Sequence, residues 1–114
     1  MCLNNEFTFT TNGTPTKGKA YTFRANPERV GVLKEMGVDI VQLSNNHAYD
    51  YGEQSLLDTF ATLEEAEIAY FGAGRDLKEA MTPVYYTLDD KVVAFVGASR
   101  AEKNKKTPQA TYDK

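Results

Sequence analysis

Apolar residues in this chain form short unbroken runs and one longer stretch in which they recur every three or four positions. Residues 38–43 place Val, Ile and Val close together, and residues 68–71 form a second short run, as in strands buried within a largely parallel sheet. The stretch between them predicts a helix over residues 52–67. Its apolar positions are Leu56, Leu57, Phe60 and Leu63. Alternation of strand and helix predicts an α/β fold.

The first third of the chain has weaker periodicity. Residues 8–20 are rich in Thr, Gly, Pro and Lys, which favour turns, and we expect a surface loop there. Residues 21–24 are β-prone. Pro27 directly after Asn26 predicts a helix start with Asn26 as N-cap. The apolar stripe of this helix is formed by Val30, Leu33 and Met36, and Gly37 ends it.

Local signals also punctuate the remainder of the chain. Asp50 and Glu53 have the Asp-x-x-Glu spacing of a capping box at the start of the long helix. Residues 76–81 predict a short helix stopped by proline. Residues 84–88 and 92–96 flank a polar turn, which predicts an antiparallel hairpin. The second of these runs is almost wholly apolar, and we expect it to be a central strand.

Length and composition limit the domain organisation. A chain of 114 residues has room for one compact domain. We expect residues 1–98 to form that domain, in incomplete form, because the segment Cys2 to Phe7 resembles the end of a strand with nothing before it. Residues 99–114 are polar and have no apolar partner, so we expect a flexible tail.

Composition also excludes several classes of function. The chain is 41% hydrophobic and 25% charged, as soluble globular proteins are. A net charge of -3 argues against a nucleic-acid partner. The single Cys2 provides neither a disulfide nor a zinc site. No apolar run reaches the roughly 20 residues of a membrane span, and no signal-peptide core follows Met1.

Candidate chemistry centres on His47, the single histidine, which follows Asn45 and Asn46 where a predicted strand ends. Ligands of open α/β sheets usually bind at that edge. Asn46 can offer an oxygen atom to a hard divalent cation, and His47 can donate a proton to a leaving oxygen. Asn-Asn is also a common turn, however, and a lone histidine beside it is often a solvated loop residue.

Three further positions carry weaker signals. Glu6 stands at an apparent strand end, where it can bind a cation or act as a base, although a surface carboxylate is the ordinary interpretation. Arg24 can reach a phosphate or carboxylate group, or pair with an acidic residue. Residues 72–75, Gly-Ala-Gly-Arg, are similar to a phosphate-binding loop but lack its third glycine, so they indicate a strand-to-helix turn.

Taken together, four segments resemble the bacterial capsule-synthesis family associated with poly-γ-glutamate, the PGA_cap or CapA group. The most specific is the run Asn-Asn-His-Ala-x-Asp-x-Gly over residues 45–52. The others are residues 4–6, 18–25 and 71–74. The resemblance implies a partial calcineurin-like metallophosphoesterase sandwich, with a mixed sheet and flanking helices.

The resemblance also implies roles for individual residues. Asn46 would be a metal ligand and His47 the acid that protonates the leaving group. Glu6 occupies the acidic position of an Asn-Leu-Glu motif, in which Asn5 replaces the leucine. Asn45 and Arg24 would contact substrate. The metal would be a divalent ion, Mn, Mg, Fe or Zn.

Two departures from the family matter. Its early aspartate ligand would lie before Met1 and its later histidines after Lys114. An amide and a carboxylate are too few to hold two cations, so we expect this chain to bind metal weakly or not at all and to be inactive in isolation.

The resemblance further implies an anionic polymer or phosphoester substrate and a location outside the bacterial membrane or tethered to it. The alternative is a non-catalytic cell-surface binding or scaffolding module of the same fold. Exposed sheet edges also predict possible dimerisation.

Overall fold

The computed structural model describes residues 1–18 and 20–99. Apart from Ser99, the predicted tail over residues 99–114 lies outside this part of the chain. The strands are β1 (Cys2–Asn4), β2 (Thr8–Phe9), β3 (Arg24–Ala25), β4 (Ile40–Gln42), β5 (Ala69–Phe71), β6 (Val84–Leu88) and β7 (Lys91–Phe95). The helices are α1 (Gly31–Glu35), α2 (Glu53–Glu65) and α3 (Leu77–Met81), and a 3₁₀ helix, Pro27–Val30, precedes α1.

The predicted α/β class is confirmed, with three small sheets among the described residues. A parallel sheet has the order β1-β4-β5, β2 pairs with β3 in parallel, and β6 pairs with β7 in antiparallel orientation. The predicted parallel arrangement of residues 38–43 is confirmed, because β4 is the central strand and Val41 is fully buried. The calcineurin-like sandwich implied by the resemblance stays a prediction.

The core forms where α2 packs against β2 and β5. Phe60 and Leu63 on α2 are fully buried, as their helical spacing predicted, whereas Leu56 and Leu57 are half-buried. The backbone N–H of Phe9 donates to Thr59 Oγ1 at 2.9 Å, which ties β2 to the helix. Phe9 is itself in the core, so burial of its ring holds β2 there.

The surface loop predicted over residues 8–20 is therefore wrong at its start. Thr8, Phe9 and Thr10 are buried, and Thr8 and Thr10 donate backbone N–H groups to the carbonyls of Phe23 and Ala25. The strand has only two residues, too few to produce a detectable period. It pairs with β3, whose residues lie 16 positions later in the sequence, so the pairing is a tertiary contact.

The helix predicted after Asn26 begins as expected but is short. Asn26 Oδ1 accepts the N–H of Glu28 at 3.0 Å, so the N-cap is confirmed. The first turn is 3₁₀ rather than α-helical. Leu33 is buried, whereas Met36 is 52% exposed, so the predicted apolar stripe does not extend to Met36. The helix ends at Glu35, one residue before it, and Gly37 follows with a φ of 76°.

The predicted capping box at the start of α2 is wrong. Gly52, with a φ of 91°, is the N-cap residue and contributes no side-chain cap. The Asp50 carboxylate is buried and accepts the backbone N–H of Phe23 instead. A buried carboxylate needs donors wherever it lies, and the packed structure supplies them from another segment.

The C-terminal hairpin is confirmed, but the expected central position of its second strand is wrong. In the part of the chain that the structure describes, β7 pairs with β6 alone. Asp89 and Asp90 adopt positive φ values of 48° and 65° in the turn. Val92 is 66% exposed and Val93, on the opposite face of the strand, is 39% exposed, so most of this apolar strand is uncovered. Dimerisation through exposed sheet edges stays a prediction.

Within residues 1–18 and 20–99, the structure contains no helix with the length and apolar character needed to cross a bilayer.

Candidate functional site

The candidate site lies at one edge of the parallel sheet. Strands β1 and β4 are parallel neighbours, with Asn4 opposite Gln42. Because both strands run in the same direction, the residues that follow them leave the sheet at the same edge. This relationship brings residues 4–6 next to residues 44–47, which are about 40 positions apart in the sequence.

Asn45 joins the two segments. Its Nδ2 donates to Asn4 Oδ1 at 3.0 Å and to the carbonyl oxygen of Asn5 at 2.9 Å. Its Oδ1 accepts the backbone N–H of His47 at 3.0 Å. Both the nitrogen and the oxygen of the Asn45 amide are therefore hydrogen-bonded within the protein. These hydrogen bonds fix the loop that carries His47. Contact between Asn45 and substrate remains a prediction.

Glu6 is linked to this loop indirectly. Asn4 Nδ2 donates to Glu6 Oε1 at 3.0 Å, and Asn4 in turn accepts from Asn45. Glu6 is exposed, as a surface carboxylate would be. The structure thus brings Glu6 to the same sheet edge as His47. It is not among the described residues that line the depression beside His47.

His47 is held by a carboxylate that the sequence analysis did not assign to the site. Its Nδ1 lies 2.6 Å from Asp50 Oδ2, and the Asp50 side chain is fully buried. The same oxygen accepts the Phe23 N–H at 2.7 Å. A carboxylate on Nδ1 fixes the orientation of an imidazole and leaves Nε2 as its other nitrogen. The His-x-x-Asp spacing of residues 47–50 is the available signal in the sequence, but Asp50 also has the Asp-x-x-Glu spacing of a helix cap.

A shallow depression of about 340 Å³ opens beside the imidazole. The Phe23 ring lies against the His47 ring with 4.5 Å between centroids. The described residues that line the depression are Ala20, Tyr21, Phe23, Asn46 and His47. Asn46 and His47 therefore do face a common cavity, whose other wall comes from the segment before β3.

Arg24 makes a different contact from those predicted for it. Its guanidinium lies over the Tyr51 ring, 4.7 Å from the ring centroid. This is the geometry of a cation–π interaction, which is worth about 0.5–1 kcal/mol at an exposed site. Tyr51 directly follows Asp50, so the contact also joins β3 to the loop that carries His47. Contact between Arg24 and substrate remains a prediction.

The glycine-rich turn after β5 is confirmed as a strand-to-helix connection. Asp76 caps α3 by accepting the Glu79 N–H at 2.7 Å. Gly72 and Gly97 both lie against Ser44, the residue that precedes Asn45: a Cβ at either glycine would come within 2.7 Å of Ser44 Oγ. The ends of β5 and β7 thus pack closely beside the His47 loop.

The described residues do not by themselves fit a divalent metal. Residues 1–18 and 20–99 contain no group of three or more His, Cys, Asp or Glu side chains placed to hold an ion. Asn46 and Glu6 offer three oxygen atoms at most, and six or more are typical of hard cations. Nearby, Asn5 is buried: its Nδ2 donates to the Phe7 carbonyl oxygen at 2.7 Å, and its buried Oδ1 has no hydrogen-bond partner.

Comparison with known proteins gives a consistent match. The family model described as bacterial capsule synthesis protein PGA_cap matches residues 1–114. The capsule biosynthesis protein CapA of Bacillus anthracis is 39% identical over 61 residues, covering 54% of this chain and 15% of that protein. A probable polyglutamine synthesis accessory protein of Mycobacterium tuberculosis is 40% identical over 81 residues, covering 70% of this chain and 21% of that protein.

The PGA biosynthesis protein CapA of Bacillus subtilis strain 168 is 35% identical over 68 residues, covering 60% of this chain and 18% of that protein. The aligned part of this chain thus spans between 15% and 21% of the length of these relatives.

Proposed function

Because this chain belongs to the bacterial capsule synthesis protein family PGA_cap, we propose that the whole protein makes or remodels an anionic capsule polymer by phosphoester hydrolysis. Relatives of this chain are named for capsule, PGA and polyglutamine synthesis. The proposed substrate is a phosphoester in the assembly of such a polymer or of a cell-wall component. The proposed place of work is the cell envelope, outside the membrane or tethered to it.

The pair of His47 and Asp50 is the observation that carries the proposal of catalysis. The buried Asp50 carboxylate stands 2.6 Å from Nδ1 and stabilises a positive charge on the imidazole. The His47 side chain is 12% exposed and lines the depression, so Nε2 is the nitrogen available to a bound molecule. A buried carboxylate on Nδ1 beside a depression is the arrangement that holds a catalytic imidazole in position.

His47 acts as the general acid in this proposal. Water attacks phosphorus and releases one proton to solvent, the bond from phosphorus to the leaving oxygen breaks, and the Nε2 proton moves to that oxygen. Asp50 keeps the ring in place and accepts a hydrogen bond from Nδ1 throughout. Positioned proton donors of this kind contribute about 10²–10⁴-fold to rate.

Asn46 and Glu6 are proposed only as contributors to a metal centre. Asn46 lines the depression beside His47, and Glu6 reaches the same sheet edge through Asn4. A divalent ion would lower the charge on the phosphoryl oxygens when bound. The ion would require further ligands from elsewhere in the whole protein. In this proposal the whole protein adopts the complete calcineurin-like sandwich.

A non-catalytic module is the second candidate. The absence of a three-residue His, Cys, Asp or Glu cluster within residues 1–18 and 20–99 favours it. In that case the sheet edge would bind a polymer or a protein partner at the cell surface without cleaving it.

The two candidates are separated by a phosphatase assay on the full-length gene product with manganese. The wild type is compared with His47→Ala and with Asp76→Ala, a control that removes only the cap of α3. The proposed acid predicts activity in the wild type and in Asp76→Ala and a loss of about 10²-fold or more in His47→Ala. Equal inactivity of all three proteins would favour the binding module, and equal activity would exclude His47 as the acid.

A further inference from the structure

We propose that the depression beside His47 binds the leaving group of the substrate, and that this leaving group is a sugar ring. The inference rests on the proposed phosphoester hydrolysis and adds the class of substrate to it. An acid must stand next to the oxygen that it protonates. Because His47 is part of the wall, the group that enters the depression is the one on the leaving side of the phosphorus atom.

Two aromatic side chains form the opposite wall. Tyr21 is 74% exposed and Phe23 is 46% exposed, and both line the depression. Neither ring belongs to the hydrophobic core, which is built around α2. Two large exposed rings that line a depression next to a candidate acid are typical of a ligand surface rather than of core packing.

The aromatic wall is fixed relative to His47. The N–H of Phe23 donates to Asp50 Oδ2 at 2.7 Å, and its carbonyl oxygen accepts the N–H of Thr8 at 3.3 Å. Its ring contacts the imidazole directly, with centroids 4.5 Å apart. Asp50 therefore orients the acid and the wall with the same oxygen atom. Little ordering of Phe23 is needed when a ligand binds, which favours affinity.

The charge of the lining selects an uncharged ring over a polyanion. Among the described lining residues there is no carboxylate, ammonium or guanidinium group. The imidazolium of His47 is the single cation that the described lining offers to a stretch of polyglutamate, whose many carboxylates would need more. A sugar has apolar C–H faces that stack on Tyr21 and Phe23, and hydroxyl groups that can hydrogen-bond to a polar side chain such as Asn46.

The size of the depression fits one ring. Its volume of about 340 Å³ is near the lower limit of the range of about 300–1,000 Å³ found for ligand pockets. A longer glycan would have to continue outside it. The proposed leaving group is accordingly a single sugar residue, joined to phosphorus through one of its oxygen atoms.

Hydrolysis of glucose 1-phosphate and of glycerol 2-phosphate by the full-length gene product tests the inference. The variants are Tyr21→Ala, Phe23→Leu and the control Tyr85→Ala, which removes a tyrosine that is 63% exposed on the terminal hairpin. We expect the ratio of kcat/KM for the sugar phosphate to that for the glycerol ester to fall about three- to tenfold in the first two variants. Tyr85→Ala should leave the ratio unchanged. An unchanged ratio in all variants of an active enzyme would overturn the inference and leave the proposed function standing.

A binding measurement keeps the test informative without turnover. Methyl α-D-glucopyranoside carries no phosphoester, and its contact with the full-length protein can be followed by saturation-transfer NMR. Contact that is lost in Tyr21→Ala and kept in Tyr85→Ala supports the sugar site, even if hydrolysis is absent and the proposed catalysis fails. No contact with the wild type would overturn the inference.

Discussion

Asp50 holds His47 and Phe23 with one carboxylate oxygen. Oδ2 lies 2.6 Å from His47 Nδ1 and 2.7 Å from the backbone nitrogen of Phe23. The carbonyl oxygen of Asp50 also accepts the N–H and the hydroxyl of Thr16, at 2.8 and 3.0 Å. The loop with the candidate acid is thereby joined to the segment that forms the wall of its depression. A change at Asp50 should consequently affect both.

Asp50→Asn should lower kcat far more than it raises KM. The amide keeps the shape of the side chain but removes the charge that stabilises an imidazolium and that selects its tautomer, so we expect a loss on the order of 10²–10⁴-fold. The measurement is steady-state hydrolysis by the full-length protein, with ¹⁵N NMR of the His47 ring to follow the tautomer. Asp58→Asn, which changes a carboxylate on α2, is the matched control. A normal kcat in Asp50→Asn would show that the pair is structural.

Asn45→Ala should release the His47 loop. Three hydrogen bonds are lost, to Asn4, to Asn5 and from His47, and at about 0.5–1.5 kcal/mol each the local cost is about 1.5–4.5 kcal/mol. Hydrogen exchange of the His47 amide should accelerate accordingly in the full-length protein. Asn26→Ala, which removes one N-cap bond in another region, is the control and should leave that amide protected. Unaltered exchange in Asn45→Ala would contradict the role of Asn45 as the link between the two segments.

Gly97→Ala should disturb the same loop by steric contact. A Cβ at Gly97 would lie 2.6 Å from Ser44 Oγ and 2.9 Å from Gly72 Cα. We expect destabilisation by about 1–3 kcal/mol, as for other overpacked sites. Adding Ser44→Ala removes the nearer clash and should recover part of the loss.

The control for this pair is Gly31→Ala. Gly31 has a helical φ of -55° and no heavy atom within 4 Å of an added Cβ. The stability of the Gly31→Ala variant should therefore be unchanged or slightly higher than that of the wild type. Urea unfolding of the full-length protein measures all four proteins. Equal stability of Gly97→Ala and the wild type would show that the close packing at Ser44 is readily relieved.

Asp58 should contribute an acid-sensitive component of stability. Burial raises the pKa of Asp58, but hydrogen bonds from Asn12, Thr10 and Gln54 outweigh it and lower the pKa below its usual value. A group whose pKa is depressed by folding stabilises the protein above its unfolded pKa, near 3.9, and this contribution is lost as the pH falls through the folded value.

The corresponding experiment compares the wild type with Asp58→Asn by urea unfolding at pH 7 and pH 3. The variant should be less stable than the wild type at pH 7, and the difference should narrow at pH 3. A difference that is the same at both values of pH would show that ionisation of Asp58 does not contribute. Asp76→Asn, which changes a carboxylate that caps α3, shows how much of any narrowing is specific to Asp58.

Much of the local structure followed from the sequence because it depends on neighbouring residues. The helix with Phe60 and Leu63 on its buried side, the Asn26 cap and the terminal hairpin all have signals within a few positions of one another. The Asn-Asn-His run at the end of a buried strand likewise identified the loop that carries His47. The resemblance to the capsule-synthesis family rests on four short segments of the same kind, and family membership is shown by the match over residues 1–114.

Tertiary structure decided the contacts between segments that are distant in the chain. Asp50 has the spacing of a cap, but the buried carboxylate binds Phe23 and His47, and only the packed chain brings Phe23 within reach. Thr8 and Phe9 became a strand through pairing with residues 24 and 25, and β7, although apolar, is not a central strand because β6 is its single strand partner among the described residues. Sequence periodicity records which side chains favour burial. Packing decides which hydrogen-bond donors, aromatic rings and strand edges those side chains contact. Packing therefore brought His47, the Asp50 carboxylate and the aromatic wall together.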